Sequence, residues 1–323
     1  MAPLPTKIRL PVSMNLINPL VYRQADALGA EFCTAKPYRH ICIDDFLDAE
    51  FAQQLLAEFP AFDLGRARNE AGEVGGKSVH EKIAALSSSF ATLDQLIQTP
   101  AFLQFLGVVT GIDALRYDPY YFGGGTHENR HGQDLDPHID FNRHPVERWH
   151  RRLNLIVYLN PTWQADWGGL LEIHRDPYAP DNQIKQLAPQ FNRCVIFETN
   201  EISWHGFSKI VLPNGQLDKL SRKSIALYFY TDSRPVAELA DTHSTVYVDR
   251  PLPAHLHAGH TLTQEDIDVL KNLWTRRDQH SQRLYRDLMR AQKALEEANS
   301  VLTAGRIGQM VYLARRLFAK LRG

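Results

Sequence analysis

Three side chains in this sequence could share one metal ion: His138, Asp140 and, 205 − 138 = 67 positions later, His205. His138 and Asp140 stand two apart in PHIDF, and residues two apart on an extended strand project to the same face. Two neutral imidazoles and one carboxylate suit a borderline first-row metal. Held on one face of an octahedron, such an ion keeps three positions open for chemistry. The chain between the pair and ISWHGF, which contains His205, can hold two or three strands and return to the same place. By itself the pattern is weak, because with 14 histidines about one His-x-Asp pair is expected by chance. A second set is present, His174-Arg175-Asp176 followed by His243 at 243 − 174 = 69, and spacing alone does not choose between them.

Context favours the first set. Arg222-Lys223-Ser224 opens the apolar run SIALYFYT, which puts Arg222 and Ser224 on one face of a strand. A guanidinium fork there can grip a carboxylate bidentately while the hydroxyl donates to it. A dicarboxylate such as 2-oxoglutarate could then chelate the metal at one end and meet Arg222 at the other. Tyr158, which ends LNLIVY, is a second candidate donor to that far carboxylate. His174, by contrast, runs into a Pro-rich loop, and no strand with an anion-binding basic residue follows His243. Ahead of the first ligand, His127, Glu128, Asn129 and Arg130 are candidates for substrate contact, though they also read as a polar loop bonded to itself. Trp204 and Phe207 flank His205, where aromatics beside a buried strand are usually core and can also shield a site.

These residues need elements to position them. In an N-terminal support region, residues 1–110, HICIDDFL reads as a strand leading into a helix capped by Asp48, with Phe51, Leu55 and Phe59 on one face. A second helix is expected around 91–106. Over 111–235 short apolar runs are separated by Gly, Pro, Asn and Asp: LNLIVYLN, GGLLEI, NRCVIFET and KSIALYFYT. Strands at this spacing without helical patterns between them predict an antiparallel sandwich or barrel. Runs this apolar imply strands buried on both faces. From 236 to 323 the pattern becomes a linker and a helical extension, with Thr263 and Asp266 spaced as an N-terminal cap. Trp274, Leu288, Leu295 and Leu302 recur on a heptad broken at Ser281, which fits a helical hairpin or a short dimerising helix and points to a homodimer. The last segment places Ile307, Met310, Val311, Ala314, Leu317, Phe318 and Leu321 on one face and five basic residues opposite. That pattern suits docking on protein and, less strongly, a membrane surface.

Composition excludes several classes. A formal net charge of -1 gives no field for nucleic acid. Cys33, Cys42 and Cys194 form no C-x-x-C pair, which excludes a disulfide framework and a cysteine-rich zinc site and suits a reducing compartment. No run of about 18 apolar residues occurs, so no spanning helix is expected and the cytoplasm is the expected location.

With these residues assembled, the chain resembles the prolyl 4-hydroxylase-like branch of the iron(II)/2-oxoglutarate dioxygenases. The matching segments are GGGTHENRHGQDLDPHIDFN, RRLNLIVYLNPTW, WGGLLEI, NRCVIFETNEISWHGF and SRKSIALYFYT, in family order, with ICIDDFLDAEFAQQLL as the strand–helix opening. The resemblance implies a mainly β protein with flanking helices, built on a double-stranded β-helix (jelly roll). It implies iron ligation by His138, Asp140 and His205, and a far-carboxylate site at Arg222 and Ser224 supported by Tyr158. The implied reaction hydroxylates an unactivated C–H bond of a peptide residue or small molecule, releasing succinate and carbon dioxide, with ascorbate as an accessory reductant. Where prolyl hydroxylases of the family carry a Tyr before the first ligand, this chain has Asn129. Asp140 stands where a halogenase would have Ala or Gly, so halogenation is not implied. A zinc hydrolase using the same three ligands, or a jelly-roll binding module without catalysis, are the competing readings.

Overall fold

The structure is a computed structural model describing residues 15–63, 77–303 and 310. It divides into two compact units, Met1–Arg250 and Pro251–Gly323. In the first unit five helices, α1 (Pro19–Arg23), α2 (Ala25–Thr34), α3 (Ala49–Ala57), α4 (Ser88–Gln98) and α5 (Pro100–Thr110), accompany twelve strands. The strands are β1 (His40–Ile43), β2 (Ser78–His80), β3 (Arg116–Tyr117), β4 (Gly125–Asn129), β5 (Leu135–Ile139), β6 (His150–Tyr158), β7 (Leu171–His174), β8 (Ile184–Leu187), β9 (Cys194–Glu198), β10 (His205–Phe207), β11 (Arg222–Thr231) and β12 (Val246–Tyr247).

The strands form two antiparallel sheets. The larger runs β1-β9-β6-β11-β4-β2, with β3 added beside β11, and the smaller runs β12-β5-β10-β7-β8. Chain neighbours such as β9 and β10, or β10 and β11, lie in opposite sheets, and this alternation makes the unit a double-stranded β-helix.

The period-2 alternation of β6 and β11 separates two interiors. Leu153, Leu155 and Val157 of β6, with Ile225, Leu227 and Phe229 of β11, face a core shared with Phe32, Phe51, Phe90, Phe102 and Leu106 of the helices. Tyr158, Val195 and Phe197 of the larger sheet pack against Leu171 and Ile173 of the smaller one. The central strands are therefore buried on both faces, as their apolar runs require. One side is backed by helices and the other by a sheet.

Asp48 caps α3 as its position implies, its Oδ1 accepting from the amides of Glu50 and Phe51 at 3.1 Å each. The helix expected around 91–106 is instead two, α4 and α5. Pro100 disfavours helical geometry in the residue before it, so Thr99 is extended, and Thr99 Oγ1 then caps the new helix at Phe102 N.

The second unit contains α6 (Gln264–Thr303), one continuous helix of 40 residues rather than a helical hairpin. Thr263 and Asp266 do cap it: Asp266 Oδ2 accepts from Thr263 N, and Thr263 Oγ1 accepts from Asp266 N. Trp274, Leu288 and Leu295 are exposed along it. The basic amphipathic face expected over 306–322 lies outside the described residues apart from Met310.

Leu155 is fully buried between β6 and the helices. Truncation to alanine removes apolar contact and leaves a cavity, so Leu155→Ala is expected to cost about 2–5 kcal/mol of stability in urea denaturation. An unchanged midpoint would contradict a helix-backed sheet.

Candidate metal and dicarboxylate site

His138 and His205 meet because β5 and β10 are adjacent and antiparallel, in a register that sets His205 opposite His138. Their ring centroids are 4.2 Å apart. Gly206 permits this approach, since a Cβ there would lie 2.6 Å from the carbonyl oxygen of Leu135 on β5. Asp140, one residue past β5, completes the group. Its Oδ1 is 3.8 Å from His138 Nε2 and its Oδ2 is 3.5 Å from His205 Nε2. The three are buried or nearly so, and they form one of two His/Asp groups among the described residues whose ligand atoms could hold a metal.

The backbone selects the tautomer. His138 Nδ1 lies 2.9 Å from the carbonyl of Asp136, and His205 Nδ1 lies 2.9 Å from that of Ser203. A carbonyl only accepts, so each neutral ring carries its proton on Nδ1 and turns the Nε2 lone pair toward Asp140. Burial, with the neighbouring His205, pushes His138 down to about 3, and burial also lowers His205. Both rings are therefore neutral, as a metal ligand must be. Burial works against the Asp140 charge, but Arg151, the two histidines and Asn154 outweigh it and hold the carboxyl well below its usual range. Arg151 Nη2 reaches Asp140 Oδ2 at 3.1 Å, and Asn154 Nδ2 donates to the same oxygen at 2.7 Å.

A cavity of about 350 Å³ opens beside this group. Arg222 of β11 lines it, buried, and its Nε donates to the carbonyl of Gly169 at 2.7 Å. Its Nη2 donates to Tyr158 Oη at 3.2 Å, and the guanidinium lies 4.3 Å over the Phe207 ring. Gly169 must be glycine: φ is +65°, and a Cβ would meet Ile210, Trp163 and Arg222 itself. Among the described residues no carboxylate pairs with Arg222, and burial lowers its pKa. A buried cation of this kind beside open space suits an anionic ligand. Ser224, two residues on, lines the same cavity, while Tyr158 stands behind Arg222.

The substrate candidates divide by the pleat of β4. His127 and Asn129 line the cavity. Glu128 points the other way, accepting from Ser221 Oγ at 2.6 Å with Lys223 at 3.4 Å. Arg130 is exposed and stacks on Phe62 at 3.9 Å. Phe207 lines the cavity, whereas Trp204 packs edge-on against Tyr178 outside it. The second set does not assemble among the described residues: His174 is engaged by Glu172 and Asn182, and His243 by Glu201.

Arg151 and Asn154, with Tyr228 and Tyr247, also line the cavity and stand outside the candidates that the sequence pattern marks. A signal existed for Asn154, since a polar Asn inside LNLIVY sits where only a partnered side chain is tolerated.

Residues 124–230 match the family model of the 2OG-Fe(II) oxygenase superfamily. That match covers about a third of the chain. Prolyl 3-hydroxylase OGFOD1 of Mus musculus is 26% identical over 187 residues, which is 51% of this chain and 32% of that protein. Its Xenopus laevis counterpart is 34% identical over 70 residues, 21% of this chain and 14% of that one. The chain thus spans about a third or less of the length of these relatives. Among solved structures, a Trichoplax adhaerens prolyl hydroxylase in complex with a hypoxia inducible factor peptide fragment is similar at TM-score 0.47 and 16% identity, over 68% of this chain and 96% of that one. Among the described residues no helix is long and apolar enough to cross a membrane.

The buried histidines predict a pH effect. The unfolded chain protonates its histidines near pH ~6.5, whereas His138 stays neutral down to about 3, with His205 and His127 lowered in the same direction. Between those limits the unfolded state binds more protons, so stability falls as pH falls. In metal-free buffer the urea midpoint should drop from about pH 6.5 downward, and His138→Gln should shallow that slope. A wild-type midpoint flat over this range would place the rings in water.

Proposed function

We propose that this chain is an iron(II)- and 2-oxoglutarate-dependent hydroxylase that acts on a prolyl residue of a peptide or protein. The observation that carries the reading is the joint geometry of the cavity. Two Nε2 lone pairs and a carboxylate converge on one side, and a buried guanidinium without an acidic partner stands on another. The donor set is that of a facial two-histidine, one-carboxylate iron site.

When bound, iron with 2-oxoglutarate supplies the oxygen activation and oxidative decarboxylation that place a hydroxyl on a C–H bond, releasing succinate and carbon dioxide. His138, Asp140 and His205 would hold the metal. Arg151 and Asn154 keep Asp140 ionised and fixed in orientation. Arg222 and Ser224 receive the far carboxylate of 2-oxoglutarate, and Tyr158 and the Gly169 carbonyl hold the guanidinium in place. Ile156, Leu171 and Phe207 contribute apolar wall, which keeps water from competing for the charged groups. The names of the relatives support proline as the residue modified. A zinc hydrolase on the same ligands has no use for Arg222. The exposed Trp274, Leu288 and Leu295 of α6 support a homodimer as the assembly.

The test is succinate release from the full chain with iron(II) and 2-oxoglutarate, followed by mass spectrometry of proline-containing peptides for gain of one oxygen. His138→Ala should abolish turnover and His174→Ala should leave it largely intact. Arg222→Ala should raise the 2-oxoglutarate requirement by about tenfold or more, as loss of a buried charged hydrogen-bonding partner does. An unchanged requirement removes Arg222 from the co-substrate role. Absence of succinate from the iron-loaded wild type sinks the reading.

A further inference from the structure

The second unit holds another convergence of ligating atoms that the oxygenase reading does not use. In HLHAGHTLTQED, His255 Nε2 lies 2.8 Å from Asp266 Oδ1, and His260 Nε2 lies 2.9 Å from Asp266 Oδ2. The ligand atoms of all three lie within 4.8 Å of one another. His257 stands nearby, its ring centroid 6.1 Å from that of His260.

We propose that His255, His260 and Asp266 form a second metal site, which takes a borderline divalent ion of the zinc class and clips the 255–260 loop to the first turn of α6. Two imidazole nitrogens and one carboxylate oxygen are zinc donors, while magnesium and calcium take oxygen ligands. In tetrahedral zinc geometry, bonds of about 2.0–2.1 Å separate ligand atoms by about 3.3 Å. Each Nε2 now lies 2.8 or 2.9 Å from its Asp266 oxygen, a little closer than that, and all three ligand atoms lie within 4.8 Å of one another. His255 is 57% exposed at its side chain and His260 26%, so both rings can adjust and the ion can enter from solvent. The positive end of the helix dipole opposes a cation, but Glu265 and Asp266 both lie in the first turn and offset it. His257 or water supplies the fourth position.

The cluster also makes sense as a hydrogen-bonded cap alone, and the experiment separates the two. Full-length protein is dialysed against zinc with excess magnesium, and bound zinc per chain is measured by elemental analysis. Wild type should hold two equivalents, one at each His/Asp group. The variant His255→Asn/His260→Asn should hold one, with the affinity of the lost site reduced at least about 100-fold, because a direct ligand matters no less than its outer partners. Asparagine can still donate to Asp266, so the helix cap survives, and far-ultraviolet circular dichroism verifies that α6 is formed. The variant His138→Ala/His205→Ala should keep the equivalent that the first variant loses, which makes the result independent of the oxygenase site. Equal zinc content in wild type and His255→Asn/His260→Asn, or displacement of the second equivalent by magnesium, overturns the proposal.

Discussion

The pairing of β5 with β10 is the constraint on which the core depends. It is a register, not a motif: one step of slip would turn His205 away from His138 and carry Phe207 to the wrong side of the sheet. The register holds because both strands are short, lie inside the smaller sheet and are flanked by β12 and β7. Gly206 lets the backbones close to a separation that any side chain would prevent. Because each ring also returns its Nδ1 proton to the carbonyl two residues before it, the backbone fixes the position, the tautomer and the direction of the lone pair together.

The larger sheet contributes the opposite pole. β11 places Arg222 and Ser224 on the face that looks across at the smaller sheet, while Ile225, Leu227 and Phe229 hold the strand against the helices. A buried guanidinium without an acid is costly, and the fold meets that cost only in part, through the Gly169 carbonyl, the Tyr158 hydroxyl and the Phe207 ring. What remains unmet is what the proposed function assigns to an anionic ligand, and the helix-backed core holds the guanidinium in place for it.

Much of this was legible in the sequence because it rests on period and chemistry. The runs at β6, β9 and β11 are too apolar for a one-sided sheet, and His-x-Asp, the distant His and Arg-x-Ser are residues that line one cavity. What escaped was set by tertiary contact. β4 has no apolar alternation, so GTHEN reads as a loop, and only its pairing to β11 shows that Glu128 turns outward while His127 and Asn129 turn in. Arg151 looked like one of many surface arginines in ERWHRRL, yet it is 1% exposed. The helical hairpin failed for a different reason. Breaks in a heptad report the loss of a partner stripe, not the end of a helix, and Ser281 lies inside the continuous helix Gln264–Thr303.

Asp140 shows how the two poles are kept apart. A carboxylate this deep would normally protonate, and protonated it would be a poor ligand. Arg151 prevents that by remaining charged beside it, stacked 3.7 Å over Tyr228 and 4.5 Å over Phe141 so that its own burial is compensated. Asn154 and Arg151 both engage Oδ2, leaving Oδ1 facing His138. The cavity therefore contains two guanidiniums with opposite employment. Arg151 is neutralised by Asp140 beside the two histidines, whereas Arg222 pairs with no carboxylate among the described residues and, in the proposed function, meets the far end of the diacid. Exchanging their surroundings would destroy both, since a free arginine beside the ligand group would compete with the metal for Asp140, and a paired one at β11 would have nothing to offer a second carboxylate.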